Sequence, residues 1–258
     1  MFGIRPRCPV VEREQHWIES SMDWFRGQFG DAAMRRPVIL PTDDYFPGTY
    51  TGTDDEVHAV VRRVSGYMGV DPDSVEVQFY RESAPDVAGV GQPKELGSAG
   101  HYVVRDGRPV IGIEDAMAAR PTALVATIAH ELGHHLLLGA HRIEPERKDG
   151  EPLTDLLTVY FGLGIFGANA ALDFSRTYPP TRGRLTMGQA RAAPAVVRPG
   201  WRASRLGYLT EPMFGYALAR YAWLRGEEHP TWMSYVDGNP RSAMRKGLRY
   251  LNRSSTED

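Results

Sequence analysis

Cysteine is nearly absent from this 258-residue chain. Cys8 is the only one, so no intrachain disulfide can form and the fold does not depend on an oxidising compartment. Lysine is scarce as well. Lys94, Lys148 and Lys246 are the only three among 30 basic residues, an arginine bias read here as genome composition. Neither sign of charge dominates. The formal net charge of -2 gives no global pull toward nucleic acid or an anionic membrane, and neither is expected as a partner. The first eight residues hold no apolar core of signal-peptide length, and a cytoplasmic location is the expectation. Repeats, coiled-coil heptads and zinc fingers are missing. What remains, 42% hydrophobic and 24% charged residues, describes an ordinary globular protein with length for one large domain or two small ones.

Long hydrophobic runs are missing too, with one exception. Residues 156–172 carry no charge over 17 positions, the lower limit for spanning a bilayer. The flanks are Asp155 and Asp173 rather than Lys or Arg, and Asn169 and three glycines interrupt the run, so a buried helix is expected and no membrane span. Gly162, Gly164 and Gly167 spell G-x-G-x-x-G. No strand precedes them and no βαβ unit surrounds them, so the pattern is a decoy and close helix packing is their expected use.

The informative feature is His130-Glu131-Leu132-Gly133-His134, an H-E-x-x-H motif inside an apolar run that begins at Pro121-Thr122. Leu124, Ile128, Leu132 and Leu136 give the run a helical period, and Pro121 suits a first helical position. Residues four apart lie on one helix face about one turn apart, so both imidazoles can reach one Zn²⁺. Glu131 can then act as general base toward a water at that metal. His135 points about 100° away from His134 and is expected behind the metal group or at the surface.

A catalytic zinc needs a third protein ligand. The same helix does not supply one in the H-E-x-x-H-x-x-G-x-x-H pattern, because Ala140 and Leu137 occupy the required His and Gly positions. His141 misses by one residue and is read as a surface or helix-end histidine. Glu151-Pro152-Leu153-Thr154-Asp155 opens the next apolar segment, with Glu151 and Asp155 sharing a face. Glu151 is the expected ligand, with Asp155 holding the far nitrogen of a ligating histidine. Asp155 itself is the alternative ligand, and Glu211 a weaker one. Placement of both acids at a helix N-terminus also satisfies the helix dipole without any metal.

His130-Glu131-x-x-His134 followed by Glu151-x-x-x-Asp155 resembles the gluzincin arrangement of H-E-x-x-H zincin metallopeptidases. The Glu-x-x-x-Asp form is similar to that of prenyl-protein-processing membrane peptidases. The likeness covers residues 123–166 only. Thr154 stands where a small residue is usual, and the membrane helices of those families are missing. A rival resemblance, to the aspzincins, makes Asp155 the third ligand. Either resemblance implies a Zn²⁺ site and leaves the substrate open.

Elsewhere, helical spacing is expected over 11–29, from Asp54-Asp55 to about 68, over 210–225, and from Asn239-Pro240 to about 251. Short strands are expected at 38–40 and 75–80, and a hairpin across Arg105-Asp106-Gly107-Arg108. A strand just upstream of the metal helix can offer its edge to an extended peptide. His101 is expected to be a solvated residue at a loop end. Residues 175–204 are rich in Arg, Pro and Gly and are read as a solvated loop, and 254–258 as a disordered tail.

The expected fold is α+β and mostly helical, a zincin-like metalloprotease core with a small sheet packed on the H-E-x-x-H helix. It is expected as one domain: 1–70 an N-terminal helical addition, 71–175 the metal-site core, 176–204 an Arg/Pro-rich loop and 205–253 C-terminal helices. The expected function is zinc-dependent hydrolysis of peptide bonds in a peptide or protein substrate. His130, His134 and Glu151 hold the metal, Glu131 is the base, and a Tyr, Arg or His steadies the oxyanion; Tyr160, Tyr208 and Tyr216 are unranked candidates, each expected first as a packing residue. The alternatives are a non-catalytic zinc protein that binds a partner through the same cleft, and a hydrolase of a non-peptide amide.

Overall fold

Helix starts in this chain carry their own stop and start chemistry. Thr53 caps one helix, its hydroxyl accepting from the Glu56 amide while the Glu56 carboxylate accepts from the Thr53 amide, a reciprocal capping box. Thr210 caps another through the Met213 amide, with a proline in the first turn. Pro121 opens the motif helix, where a missing amide proton is harmless.

In this computed structural model, which describes residues 6–80, 100–173, 176–177, 185–192, 196–197 and 208–254, the helices are α1 (Glu12–Met34), α2 (Asp54–Met68), α3 (Pro121–His134), α4 (Gly150–Tyr160), α5 (Gly164–Asp173), α6 (Met187–Ala192), α7 (Glu211–Leu224) and α8 (Gly238–Ser254). The strands are β1 (Glu76–Tyr80), β2 (Gly100–Arg105), β3 (Arg108–Glu114), β4 (Arg176–Thr177) and β5 (Val196–Val197). The architecture is α+β and mostly helical. The solvated loop expected over 175–204 falls largely outside the described residues, as does the tail from 255. Among the described residues no helix is long and apolar enough to cross a membrane.

The chain divides into two compact units. The first comprises Met1–Leu40, Glu146–Leu172 and Gly207–Asp258 and is helical where described. Its core is built from Ile18, Met22 and Phe25 of α1, Leu153, Leu156 and Leu157 of α4, Phe214 and Leu218 of α7, and Met244 and Leu248 of α8, all buried. α7 and α8 approach closely because glycines face the contact. A β-carbon on Gly215 would lie 2.5 Å from Ala243 Cβ, and one on Gly247 2.8 Å from Ala219 Cβ. Trp17 of α1 donates to Asp149 at 2.8 Å, fixing the approach to α4. The expected single helix over 156–172 is two. Gly162 takes a left-handed φ of 82°, ending α4 and letting α5 begin. Asn169 fits the apolar run because its amide donates to Tyr235 O and accepts from the Asp237 amide, both at 2.9 Å.

The second unit, Pro41–Pro145 and Asp173–Leu206, holds α2, α3 and a mixed three-stranded sheet of order β1-β3-β2. β1 runs parallel to β3 and β2 antiparallel. The expected hairpin is present with Arg105 opposite Arg108. Asp106 and Gly107 both have positive φ, 50° and 77°, the twist a two-residue turn requires. Directly opposed residues share a sheet face, so Gly100 and Tyr102 lie with Ile113 and Ile111 on one face, while His101 lies with Gly112 on the other. The first face receives α3. Its buried Leu124, Val125, Ile128 and Leu132, with Val110, Ile111 and Ile113, form this unit's core together with Val57, Val60 and Val64 of α2. The strand expected at 38–40 does not form. Ile39 makes one backbone bond, to Gly162 O at 2.9 Å, and no ladder.

Candidate metal centre

α3 is buried along nearly its whole length, since outside the motif its sequence is apolar apart from Thr122 and Thr127. One helical turn separates His130 and His134, and their Nε2 atoms lie 3.1 Å apart with the rings nearly perpendicular, at 82°. Two nitrogens on one tetrahedral zinc, at Zn–N about 2.0–2.1 Å, lie about 3.3 Å apart. The pair is therefore spaced to share a single cation. The ligand atoms of His130, His134 and Glu151 all lie within 4.8 Å of one another. Two imidazole nitrogens and a carboxylate oxygen form a donor set that suits a divalent transition metal. The residues fit the role of a metal-binding group.

Glu131 sits between the two histidines in sequence and is 5% exposed. It is covered by the edge strand. A β-carbon at Gly100 of β2 would lie 2.6 Å from Glu131 Oε1 and 2.7 Å from Thr127 Cγ2. Thr127 is one turn before Glu131 on the same face. Only a residue without a side chain lets the strand lie this close to the carboxylate. Two residues on, the Tyr102 ring lies nearly parallel to His134, at 6.4 Å and 21°, and beside His135 at 6.0 Å. Burial raises the Tyr102 phenol above its ordinary pKa and lowers that of His135.

After His134 the backbone widens into one π turn over His135–Gly139, a feature that recurs at functional sites. Gly139 is required there: its β-carbon would meet Tyr102 Oη at 2.6 Å and His135 Nδ1 at 3.0 Å. His141 leaves the helix in an exposed position with φ 50°, away from any metal role. His101 differs from expectation. It is half-buried on the opposite sheet face, its ring lying over Gly112, where a β-carbon would fall 1.9 Å from Cε1, and 5.0 Å from the Tyr80 ring.

Glu151 stands in the first turn of α4 and Asp155 one turn later. Asp155 is not a member of the group that brings the two histidines and Glu151 together. Its carboxylate is 5% exposed, and Oδ2 accepts from two consecutive backbone amides, Tyr208 at 2.6 Å and Leu209 at 3.1 Å. Glu211, the weaker candidate ligand, accepts from Asn239 at 2.7 Å in the first turn of α7 and lies outside the group.

The three tyrosines separate cleanly. Tyr160 is fully buried and donates to Gly30 O at 2.9 Å. Tyr216 is fully buried and donates to the Glu19 carboxylate; burial first and that bond second push its pKa far up. Tyr208 is 43% exposed. Sequence reasoning missed Gly100 and Tyr102. A glycine opening an alternating strand signals close approach of another element, but not which element. Comparison with protein-family models, with curated proteins and with solved structures finds no match for this chain.

Proposed function

We propose that this protein is a zinc-dependent hydrolase of peptide bonds, with His130, His134 and Glu151 as metal ligands and Glu131 as general base. The observation that carries the reading is the convergence of two imidazole nitrogens and a carboxylate oxygen within 4.8 Å, with a buried carboxylate at the motif's second position. A purely structural site has no use for that carboxylate. When bound, zinc lowers the pKa of a coordinated water and polarises the substrate carbonyl. Glu131 takes the proton that the attacking water gives up and later hands it to the leaving amine nitrogen. β2 supports a peptide substrate in particular. Among the described residues it pairs only with β3, so its other edge can pair with an extended chain, directly beside Glu131.

The test is Glu131→Gln on zinc-loaded protein, assayed against a peptide library read by mass spectrometry. The variant keeps the wild-type zinc stoichiometry and loses hydrolysis by at least about 100-fold. A wild type that carries no metal when purified without chelator refutes the reading. So does a Gln variant that cleaves as fast as wild type.

A further inference from the structure

We infer that Tyr102 is a positioning residue for the metal: its ring, not its hydroxyl, holds the plane of the His134 imidazole, an inference that rests on the zinc-hydrolase reading above. A histidine serves a metal only while its ring is aimed at it, and groups outside the ligand set supply that aim. The torsion that turns an imidazole about its Cβ–Cγ bond is broad and soft, so the ring needs walls to fix it. His134 has two. The His130 ring meets it edge-on, with centroids 4.8 Å apart at 82°, and the Tyr102 ring lies nearly parallel to it, at 6.4 Å and 21°. His134 is only 8% exposed.

Tyr102 is itself fixed at both ends, by contacts that involve no metal ligand. Its backbone is paired in β2 opposite Ile111, which is fully buried. Its far end stops against the π turn. A β-carbon at Gly139 would fall 2.6 Å from Tyr102 Oη, so only a residue without a side chain leaves the phenol room. The strand, the ring, the turn and both histidines all belong to the second unit. A side chain anchored in this way keeps its orientation whether or not a metal is bound, which is what pre-organising a ligand requires.

The hydroxyl is not the working part. Tyr102 Oη is buried and makes no hydrogen bond among the described residues. Removing it loses no bond and relieves a desolvation cost. Tyr102→Phe therefore keeps the wall, whereas Tyr102→Leu, apolar but not planar, loses it. The notch at the π turn gives a second handle. Gly139→Ala drives its methyl into Oη. In a Tyr102→Phe background that collision is gone, and the tightest approach left is 3.0 Å, to His135 Nδ1. The effect of Gly139→Ala on the metal thus depends on the residue at position 102.

The experiment measures zinc affinity by competition with a chromophoric chelator, on the full chain as wild type, Tyr102→Phe, Tyr102→Leu, Gly139→Ala and the Tyr102→Phe/Gly139→Ala double variant. The visible absorption of the cobalt(II)-loaded forms reads coordination geometry beside it. Tyr102→Phe keeps the wild-type affinity and cobalt spectrum, with a thermal midpoint no lower than wild type. Tyr102→Leu binds zinc about 10- to 100-fold more weakly and its cobalt spectrum changes. Gly139→Ala weakens zinc about 10-fold, and the double variant recovers most of that loss. Wild-type affinity and spectrum in Tyr102→Leu overturn the inference. So does a Tyr102→Phe that loses as much as Tyr102→Leu, which moves the role to the hydroxyl. If Tyr102→Leu does not fold, the double variant decides: affinity no better than that of Gly139→Ala alone overturns the inference. Each of these results leaves the hydrolase reading standing. A wild type that binds no zinc overturns that reading, and this inference with it.

Discussion

Gly100→Ala is the sharpest probe of how the edge strand and Glu131, the proposed general base, are fitted together. The new methyl would stand 2.6 Å from Glu131 Oε1, 2.7 Å from Thr127 Cγ2 and 3.0 Å from Glu131 Cγ. Ordinary contact begins near 3.4 Å, so the carboxylate must retreat by about 0.8 Å or the strand must lift by the same amount. Thr127 is buried at 3% exposure, which leaves little room on the helix side. Misplacing a catalytic group by about 1 Å costs on the order of 100-fold in rate, so a kcat loss of 10- to 100-fold is expected. Overpacking destabilises by about 1–3 kcal/mol, partly offset by the stiffer backbone that alanine brings. Metal content should not change, because Glu131 is not among the three grouped ligands. Steady-state hydrolysis, zinc analysis and urea unfolding on the same preparation read all three. Wild-type kcat together with wild-type stability would show that β2 does not press on Glu131, and the account of this glycine would be wrong.

Two further outcomes follow from the local bonds. Asp155→Ala strips the acceptor from two backbone amides and is expected to cost about 3 kcal/mol in urea unfolding, whereas Asp155→Asn, which keeps one oxygen, costs about 1 kcal/mol; equal losses would contradict the assignment. Glu56 accepts from the Thr51 amide and hydroxyl, both at 2.8 Å, and the Thr53 amide at 3.1 Å. Burial pushes its pKa up, but these bonds outweigh burial and hold it at about 2 against an ordinary 4.5. A lowered folded-state pKa adds stability that is complete above 4.5 and is lost as pH falls from there toward 2. Glu56→Gln should therefore cost about 1 kcal/mol at neutral pH, and the gap to wild type should close between those two values. A gap that stays constant down to pH 2.5 would refute it.

Local signals were legible wherever chemistry and periodicity agreed. Pro121, Thr210 and the Asp106-Gly107 turn marked element boundaries from sequence, because caps and turns are satisfied within a few residues; the cap of α2 is Thr53 rather than the expected Asp54-Asp55 pair, which lies one residue later inside the helix. The 38–40 strand failed for the opposite reason. Three β-branched or apolar residues favour extended backbone, but a ladder needs a partner, and Ile39 found only one carbonyl. The break inside 156–172 rested on one left-handed glycine that apolar composition concealed.

The sequence by itself determined the motif, the one-turn spacing of His130 and His134, and the shared face of Glu151 and Asp155, because helix geometry is a local property of the backbone. Only the tertiary structure decided which acid joins the histidines, which tyrosine stays in solvent, and which strand covers Glu131. Those facts depend on contacts between residues far apart in the chain, 53 positions for Asp155 with Tyr208 and 197 for Glu19 with Tyr216, and no local pattern encodes them. Burial then sorts chemically identical side chains into packing and accessible roles, as it does for Tyr160, Tyr216 and Tyr208.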